Sequence, residues 1–428
     1  VNRGSTLEFE GAVNTNLNVT NMPKLRSVDP LPVEVQGVRA IALKDPLQIS
    51  DRMVCVHRDA LHVLALLDGR HSLLDIQAEL TRSAGRIVYA EEIQSLLDKL
   101  DEAYLLEGER FKAAFKQKVA EYRQLPFRPY AHAGMSYSGD ADALKRELRA
   151  FFASSSGPGM PDLFVDRRRP LGLIAPHIDV KAGGSIFAHA YHALASGQPS
   201  DIYVIFGTGH AGVEGMFTAT TLDFQTPIGI IETDRAFIAD LSRELGRDCA
   251  AEEILHANEH VIEFQTIFLQ YLLGGRRSFS IVPILCSLSH HFFEDRGRYR
   301  EQKRMFDDFC AAMRAVCSRT SKSVCFIASA DLDHVGPRYG DQFTPHEGTV
   351  KRALDRDALL LAHLEKLEMD EFVRMVAREN DSSRICGFSP ITAMLHCMDA
   401  SEGRVLGLDF AYVDDRRSFV SFASMVFH

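Results

Sequence analysis

From Pro170 onward the chain alternates short apolar runs with helical segments, and this alternation constrains its fold more than any other feature. LGLIA, IYVIFG, FSIVPIL and SVCFIAS carry almost no charge, as strands buried on both faces do. Between them lie GSIFAHAYHAL, EFQTIFLQYLL and MFDDFCAAMRAVC, whose apolar residues recur at helical spacing. The pattern predicts an α/β sheet with helices on both faces. LGLDFAYV and SFVSFASMVF predict two closing strands, candidates for an antiparallel pair.

The residues before this region read differently. Residues 1–35 have no clear period and many Asn, Thr and Pro residues, which predicts a tail or extended arm. Residues 36–110 hold three helical segments, ALHVLALLDG, SLLDIQAELTRS and AEEIQSLLDKLDEAYLL, and predict a small winged-helix-like α+β domain. Ser72 is the expected N-cap of the second segment. A charged helical linker follows at 111–127, stopped by Pro126, and the main domain is expected at 128–428. A length of 428 residues suits several domains. A formal net charge of -10 argues against nucleic-acid binding. The eight cysteines form no CxxC pair, which argues against a structural zinc site and for a reducing, cytoplasmic setting. No apolar run reaches the ~18 residues of a membrane span, and the N-terminus lacks a signal-peptide apolar region.

Ligands of open α/β sheets gather beyond the carboxyl ends of the strands. His177 and Asp179 follow the first strand, Thr208 and His210 the second, and Asp331, Asp333 and His334 the fourth. ICGFSP places Cys386 just before a helix, with Ser389 the expected N-cap and Pro390 its first residue. Imidazoles and a thiolate suit a transition metal, and a helix N-terminus is expected to lower the Cys386 pKa. The expected ligands are His177, His210 and either Cys386 or Asp331, holding iron, with copper or zinc as alternatives. His260 or His334 would act as general acid or base. Asp179 would orient His177 or cap the turn. Glu259 and His260 open a helix that carries Glu263. They would touch a metal-bound water or the substrate, or would form an ordinary acidic first turn. FGTGHAG matches a dinucleotide fingerprint at Gly207, Gly209 and Gly212, with Glu232 further on. The segment after it, VEGMFTATTLDFQTPIG, is β-like, whereas such a site needs a helix there.

Six blocks in order resemble those of Memo-family proteins: RPYAHAGMSY at 128–137, APH at 175–177, GTGH at 207–210, EHVIEFQ at 259–265, SADLDHVG at 329–336 and ICGFSPI at 385–391. Bacterial and archaeal members are called AmmeMemoRadiSam system protein B. The resemblance implies a fold similar to class III extradiol dioxygenases, which are non-haem iron enzymes. It implies a site of two histidines and a cysteine, falling on His177, His210 and Cys386. It places the acid Asp331 nearby, with His334 and His260 lining the cavity. Asp179, Glu259 and Asp333 would face the substrate or support the ligands. PHIDV stands where many members have PHAGY, so Asp179 replaces glycine and Val180 an aromatic residue. GTGHA stands where many have GPSHH. LLDG at 66–69 and LLDKLDEAYLLE at 96–107 resemble PqqD-like winged-helix modules, which bind peptides. A helical docking role without a peptide is the alternative. The family name implies a radical-SAM protein partner. The chain lacks CxxxCxxC and is not that component. The expected function is a metal-dependent redox or oxygen-using enzyme acting on a small molecule or peptide. The alternatives are a non-catalytic peptide- or phosphopeptide-binding protein and a metal-dependent hydrolase.

Overall fold

The computed structural model describes residues 22–35, 37–57, 60–293 and 297–428. Most of the expected arm, residues 1–21, lies outside the described residues. The chain divides into two compact units between Glu121 and Tyr122.

In the first unit, β1 (Asp29–Val35), β2 (Val38–Lys44) and β3 (Val54–His57) form an antiparallel sheet in the order β1-β2-β3. Residues 29–35, expected to end the arm, are therefore a strand. Prolines at 30 and 32 mask it in the sequence, and they are tolerated because β1 is a sheet edge. Helices α1 (Leu61–Leu66), α2 (Leu73–Ala84), α3 (Ala90–Glu102) and α4 (Glu109–Arg123) follow. Ser72 caps α2 reciprocally with Asp75: Ser72 Oγ accepts from Asp75 N (3.2 Å) and Asp75 Oδ2 accepts from Ser72 N (2.8 Å). Ile93, Leu97 and Leu100, spaced along one face of α3, pack on Ile76, Leu43 and Val56.

The second unit runs α5 (Ala141–Ala153), β4 (Gly172–Ala175), α6 (Val180–Ser196), β5 (Ile202–Thr208), β6 (Phe217–Ala219), β7 (Phe224–Thr226), β8 (Gly229–Thr233), α7 (Arg235–Leu245), α8 (His260–Leu273) and β9 (Ser280–Cys286). It continues α9 (Arg300–Arg319), β10 (Val324–Ser329), β11 (Asp331–Val335), α10 (Glu347–Glu365), α11 (Met369–Arg378), α12 (Phe388–Cys397), β12 (Gly403–Tyr412) and β13 (Phe419–Phe427). One mixed sheet has the order β11-β13-β4-β10-β5-β9-β8-β7, with β12 on β13 and β6 on β9. Its centre, β4-β10-β5-β9-β8, is parallel. β12 and β13 pair antiparallel.

The uniform apolar runs are explained by cover on both faces. On β5, Ile202, Val204 and Phe206 enter one core with Phe309 and Met313 of α9 and Ile391 of α12, while Tyr203 and Ile205 enter the other with α6 and α8. The sequence expectation of an α/β sheet flanked by helices describes this unit. Two local expectations fail. Asp331, Asp333 and His334 do not trail off the end of a strand; they form β11, an irregular strand paired with β13. The polar alternation of DLDHV hides it. Helix α12 begins at Phe388 with Gly387 as N-cap, so Ser389 does not cap it. The Ser389 hydroxyl instead bridges Leu288 N (2.8 Å) and Leu288 O (3.1 Å). Among the described residues no helix is long and apolar enough to cross a membrane.

Candidate metal centre

The carboxyl ends of β4, β10 and β5 lie side by side, and the cluster grows from them. His177 leaves β4 after Pro176 and is buried. Its Nδ1 lies 2.9 Å from Ser329 O at the end of β10. A carbonyl only accepts, so Nδ1 carries the proton and Nε2 is the ligand-type nitrogen. That Nε2 sits 2.9 Å from Cys386 Sγ. Burial, then the neighbouring His210 and His260, hold His177 well below the ordinary histidine pKa, so it is neutral.

His210 leaves β5 after Gly209. Its Nδ1 lies 3.1 Å from Glu259 Oε1 and its backbone N donates to Glu259 Oε2 at 3.0 Å. The same carboxylate takes His260 N (3.0 Å) and lies 3.1 Å from His260 Nδ1. One nearly buried acid therefore sets two imidazoles, stacked with centroids 5.2 Å apart at 12°, and leaves Nε2 as the ligand-type nitrogen of His210. Burial alone would raise the Glu259 carboxyl, but His210 and His260 hold it well below the usual carboxylate range. Gly207 makes this approach possible: a Cβ there would lie 2.3 Å from Val261 Cγ2 at the start of α8.

Cys386 is held from both sides. Thr208 Oγ1 donates to Cys386 O at 2.7 Å, and Gly387 N donates to Asp331 O at 2.9 Å. A Cβ on Gly387 would lie 2.4 Å from that carbonyl oxygen. Gly387→Ala is accordingly expected to cost about 1–3 kcal/mol through overpacking against immovable backbone, read as a lowered midpoint in thermal or urea melts. The expected low thiol pKa does not hold: burial pushes the Cys386 thiol well above its ordinary value in the metal-free protein.

Asp331 is buried on β11, and its Oδ1 accepts from His177 N at 2.9 Å. Burial pushes it up to about 6. His334 Nδ1 donates to Leu332 O (2.9 Å), and its ring meets Tyr339 edge-on at 4.9 Å. Burial pushes His334 down to about 4. Two expected residues stand elsewhere. The exposed Asp179 caps α6 by accepting from Lys181 N (3.0 Å), which is the turn-capping alternative. Asp333 joins a buried pair with Asp357 of α10: Ser421 Oγ accepts from Asp333 N (2.9 Å) and donates to Asp357 Oδ2 (2.5 Å), while Arg356 lies 3.2 Å from Asp333 Oδ1. The bulge between Asp331 and His334 separates Asp333 from the cluster.

Burial, then Asp357, push Asp333 up to about 8, and burial also raises Asp357. A raised folded-state carboxyl binds protons that the unfolded chain releases, so stability falls as pH rises from about 4 to about 8. Asp357→Asn should flatten this fall, seen as a smaller loss of melting temperature over that window than in the wild type. Equal pH profiles would contradict the pairing.

Sequence reasoning missed His132 and Tyr339 and gave Glu263 the wrong partners. His132 packs edge-on to His260 (5.6 Å) and Phe264 (5.8 Å). Glu263, read as a possible site contact, faces inward onto Arg128, Ala131 N (2.9 Å), His132 N (2.8 Å) and Tyr137 OH (2.5 Å). It ties the RPYAHAGMSY block to α8. Tyr339 packs against the apolar cluster of Ile178, Ile186, Val420 and Phe422 and meets the His334 ring edge-on. None had a local signal, because these contacts, His334–Tyr339 apart, join segments distant in the chain.

The donor atoms of His177, His210 and Cys386 lie within 4.8 Å of one another, as do those of His210, Glu259 and His260. Two oriented imidazoles and a thiol are a donor set that a first-row transition-metal ion accepts.

Residues 128–426 match the family described as Memo-like protein. A MEMO1 family protein of Aquifex aeolicus is 27% identical over 95% of this chain and 100% of its own length. One from Methanopyrus kandleri is 31% identical over 65% of this chain and 90% of its own. One from Methanobrevibacter smithii is 29% identical over 62% of this chain and 84% of its own.

Proposed function

We propose that this chain, which belongs to the Memo-like protein family, binds one transition-metal ion through His177, His210 and Cys386 and serves as a redox or oxygen-using enzyme. Iron is the first choice, with copper or zinc as alternatives. One observation carries the reading: Ser329 O and Glu259 engage the Nδ1 atoms of two histidines whose donor atoms gather with Cys386 Sγ within 4.8 Å. Bound there, iron or copper would supply Lewis acidity and electron transfer, with open coordination positions for a substrate.

The chain's own groups supply the rest. Glu259 fixes His210 and His260 together, so His260 Nε2 can take or give a proton beside the bound substrate. Asp331, raised to about 6, can hold a proton close to neutral pH. The His260–Glu259 pair equally suits deprotonation of a water, which favours a metal-dependent hydrolase as the second reading. Oxygen consumption by iron-loaded protein supports the first reading, and its absence alongside ester or amide cleavage by zinc-loaded protein supports the second. Protein purified without added metal is expected to carry roughly one equivalent of a first-row metal in elemental analysis, as a single three-donor site implies. Protein that arrives empty and takes up neither Fe(II), Cu(II) nor Zn(II) would refute the metal reading.

The first unit carries a groove of about 500 Å³ lined by Val63, Leu80, Val88, Ile93 and Leu96, with Arg86 and Glu92 at its edge. It supports a peptide-docking role for that unit. The radical-SAM partner rests on the resemblance alone and is testable by co-purification.

A further inference from the structure

The EHVIEFQ block ends in Gln265, a fully buried amide that no step above uses. Its Nε2 donates to Pro176 O (2.8 Å) and to Ser329 Oγ (2.7 Å), with a longer contact to Val261 O one turn back (3.3 Å). Its Oε1 accepts from Tyr191 OH at 2.8 Å. The Ser329 hydroxyl in turn donates to Val261 O at 2.6 Å. Gln265, Ser329 and Tyr191 are all solvent-excluded, and this set of donors and acceptors closes without a water.

The two closer acceptors of Nε2 have a specific relation to the cluster. Pro176 O belongs to the peptide that leads directly into His177. Ser329 is the residue whose carbonyl holds His177 Nδ1 at 2.9 Å. One amide therefore grips the residues at both ends of the hydrogen bond that fixes the His177 ring. We infer that Gln265 is the positioning residue of His177, locking the Nδ1–H tautomer and aiming Nε2 at the shared point with Cys386 and His210. This rests on the metal reading of the cluster. Gln and not Glu is required: two donors leave Nε2, whereas a carboxylate offers none and a carboxylic acid one. Buried networks of this kind fix a ligand's orientation, and loss of such an orienting partner costs about 10–100-fold in metal affinity.

The test compares Gln265→Met, Gln265→Glu, Ser329→Ala and Tyr191→Phe in the full chain. Three quantities are read: melting temperature, Zn(II) affinity by chelator competition, and the His177 tautomer in the metal-free protein by NMR of ¹⁵N-labelled histidine. Both Gln265 variants are expected to lose about 10–100-fold in Zn(II) affinity and to show mixed His177 tautomers. Ser329→Ala keeps the carbonyl and loses the hydroxyl, and is expected to shift both readouts in the same direction. Tyr191→Phe touches only the outer hydrogen bond and should stay near wild type in both. Gln265 variants that melt earlier yet keep wild-type affinity and a single tautomer would reduce Gln265 to a structural role and overturn the inference. Should Gln265 variants fail to fold, Ser329→Ala decides by the same two readouts. A wild type that takes up no Zn(II) defeats the metal reading, while the tautomer spectra still decide the role of Gln265.

Discussion

Replacing Glu263 with leucine is expected to destabilise the second unit by about 3–5 kcal/mol, the range for stripping one partner from a buried ion pair. Arg128 and Glu263 side chains are both 0% exposed. The Glu263 carboxylate accepts from the Arg128 guanidinium, two backbone N–H groups and the Tyr137 hydroxyl. Its removal leaves a buried cation and three further donors unsatisfied. Arg128 keeps His256 O (2.9 Å), Glu259 O (2.7 Å) and the Phe224 ring face (5.2 Å), none of which carries a negative charge. The double variant Arg128→Met/Glu263→Leu should be less unstable than Glu263→Leu alone, because it removes the stranded charge. Urea unfolding followed by circular dichroism measures both. A Glu263→Leu midpoint equal to wild type would mean the pair contributes nothing, contrary to its burial. Because Arg128 also holds Glu259 O, the single variant should loosen the residue that orients His210 and His260.

The same network shows what could be read from the chain alone. His177, His210 and Cys386 were legible because each follows a strong local signal, an apolar strand or a helix start. Fold rules then place those signals on one rim. Asp331 and Asp333 could not be told apart. They sit two residues apart on a strand whose bulge sends one toward His177 and the other toward Asp357. Asp179 looked like a site residue by proximity in sequence, but a helix begins at the next residue and needs a cap. Glu263 reads equally as part of an ordinary acidic first turn, and nothing local tells that its partner is Arg128. The tail was read past its end because prolines on an edge strand mimic an extended arm. The low thiol pKa expected for Cys386 was a helix-end argument made without knowledge of burial, which reverses it.

A substitution series around the cluster is expected to rank its members, with the largest losses of metal affinity at His177→Ala and Cys386→Ala. Each removes a donor atom, so each should exceed the about 10–100-fold loss that follows removal of an orienting partner. Glu259→Gln should fall within that smaller range, because it keeps a side-chain acceptor for one imidazole but not the shared carboxylate that sets both. Asp179→Ala should leave affinity unchanged and lower only stability, as loss of a helix cap does. The series also decides between the two candidates for the third ligand. Asp331 Oδ1 is committed to His177 N, and Oδ2 stands 3.7 Å from His177 Nε2, whereas Cys386 Sγ is at 2.9 Å. Asp331→Asn keeps an acceptor for His177 N and should retain most of the affinity. Cys386→Ala should not, and Co(II)-loaded Cys386→Ala should lack the sulfur-to-cobalt charge-transfer band that wild type shows. If Asp331→Asn instead abolishes binding while Cys386→Ala keeps it, the carboxylate is the third ligand and the thiol a neighbour. Isothermal titration with Zn(II) across the five variants yields the ranking directly.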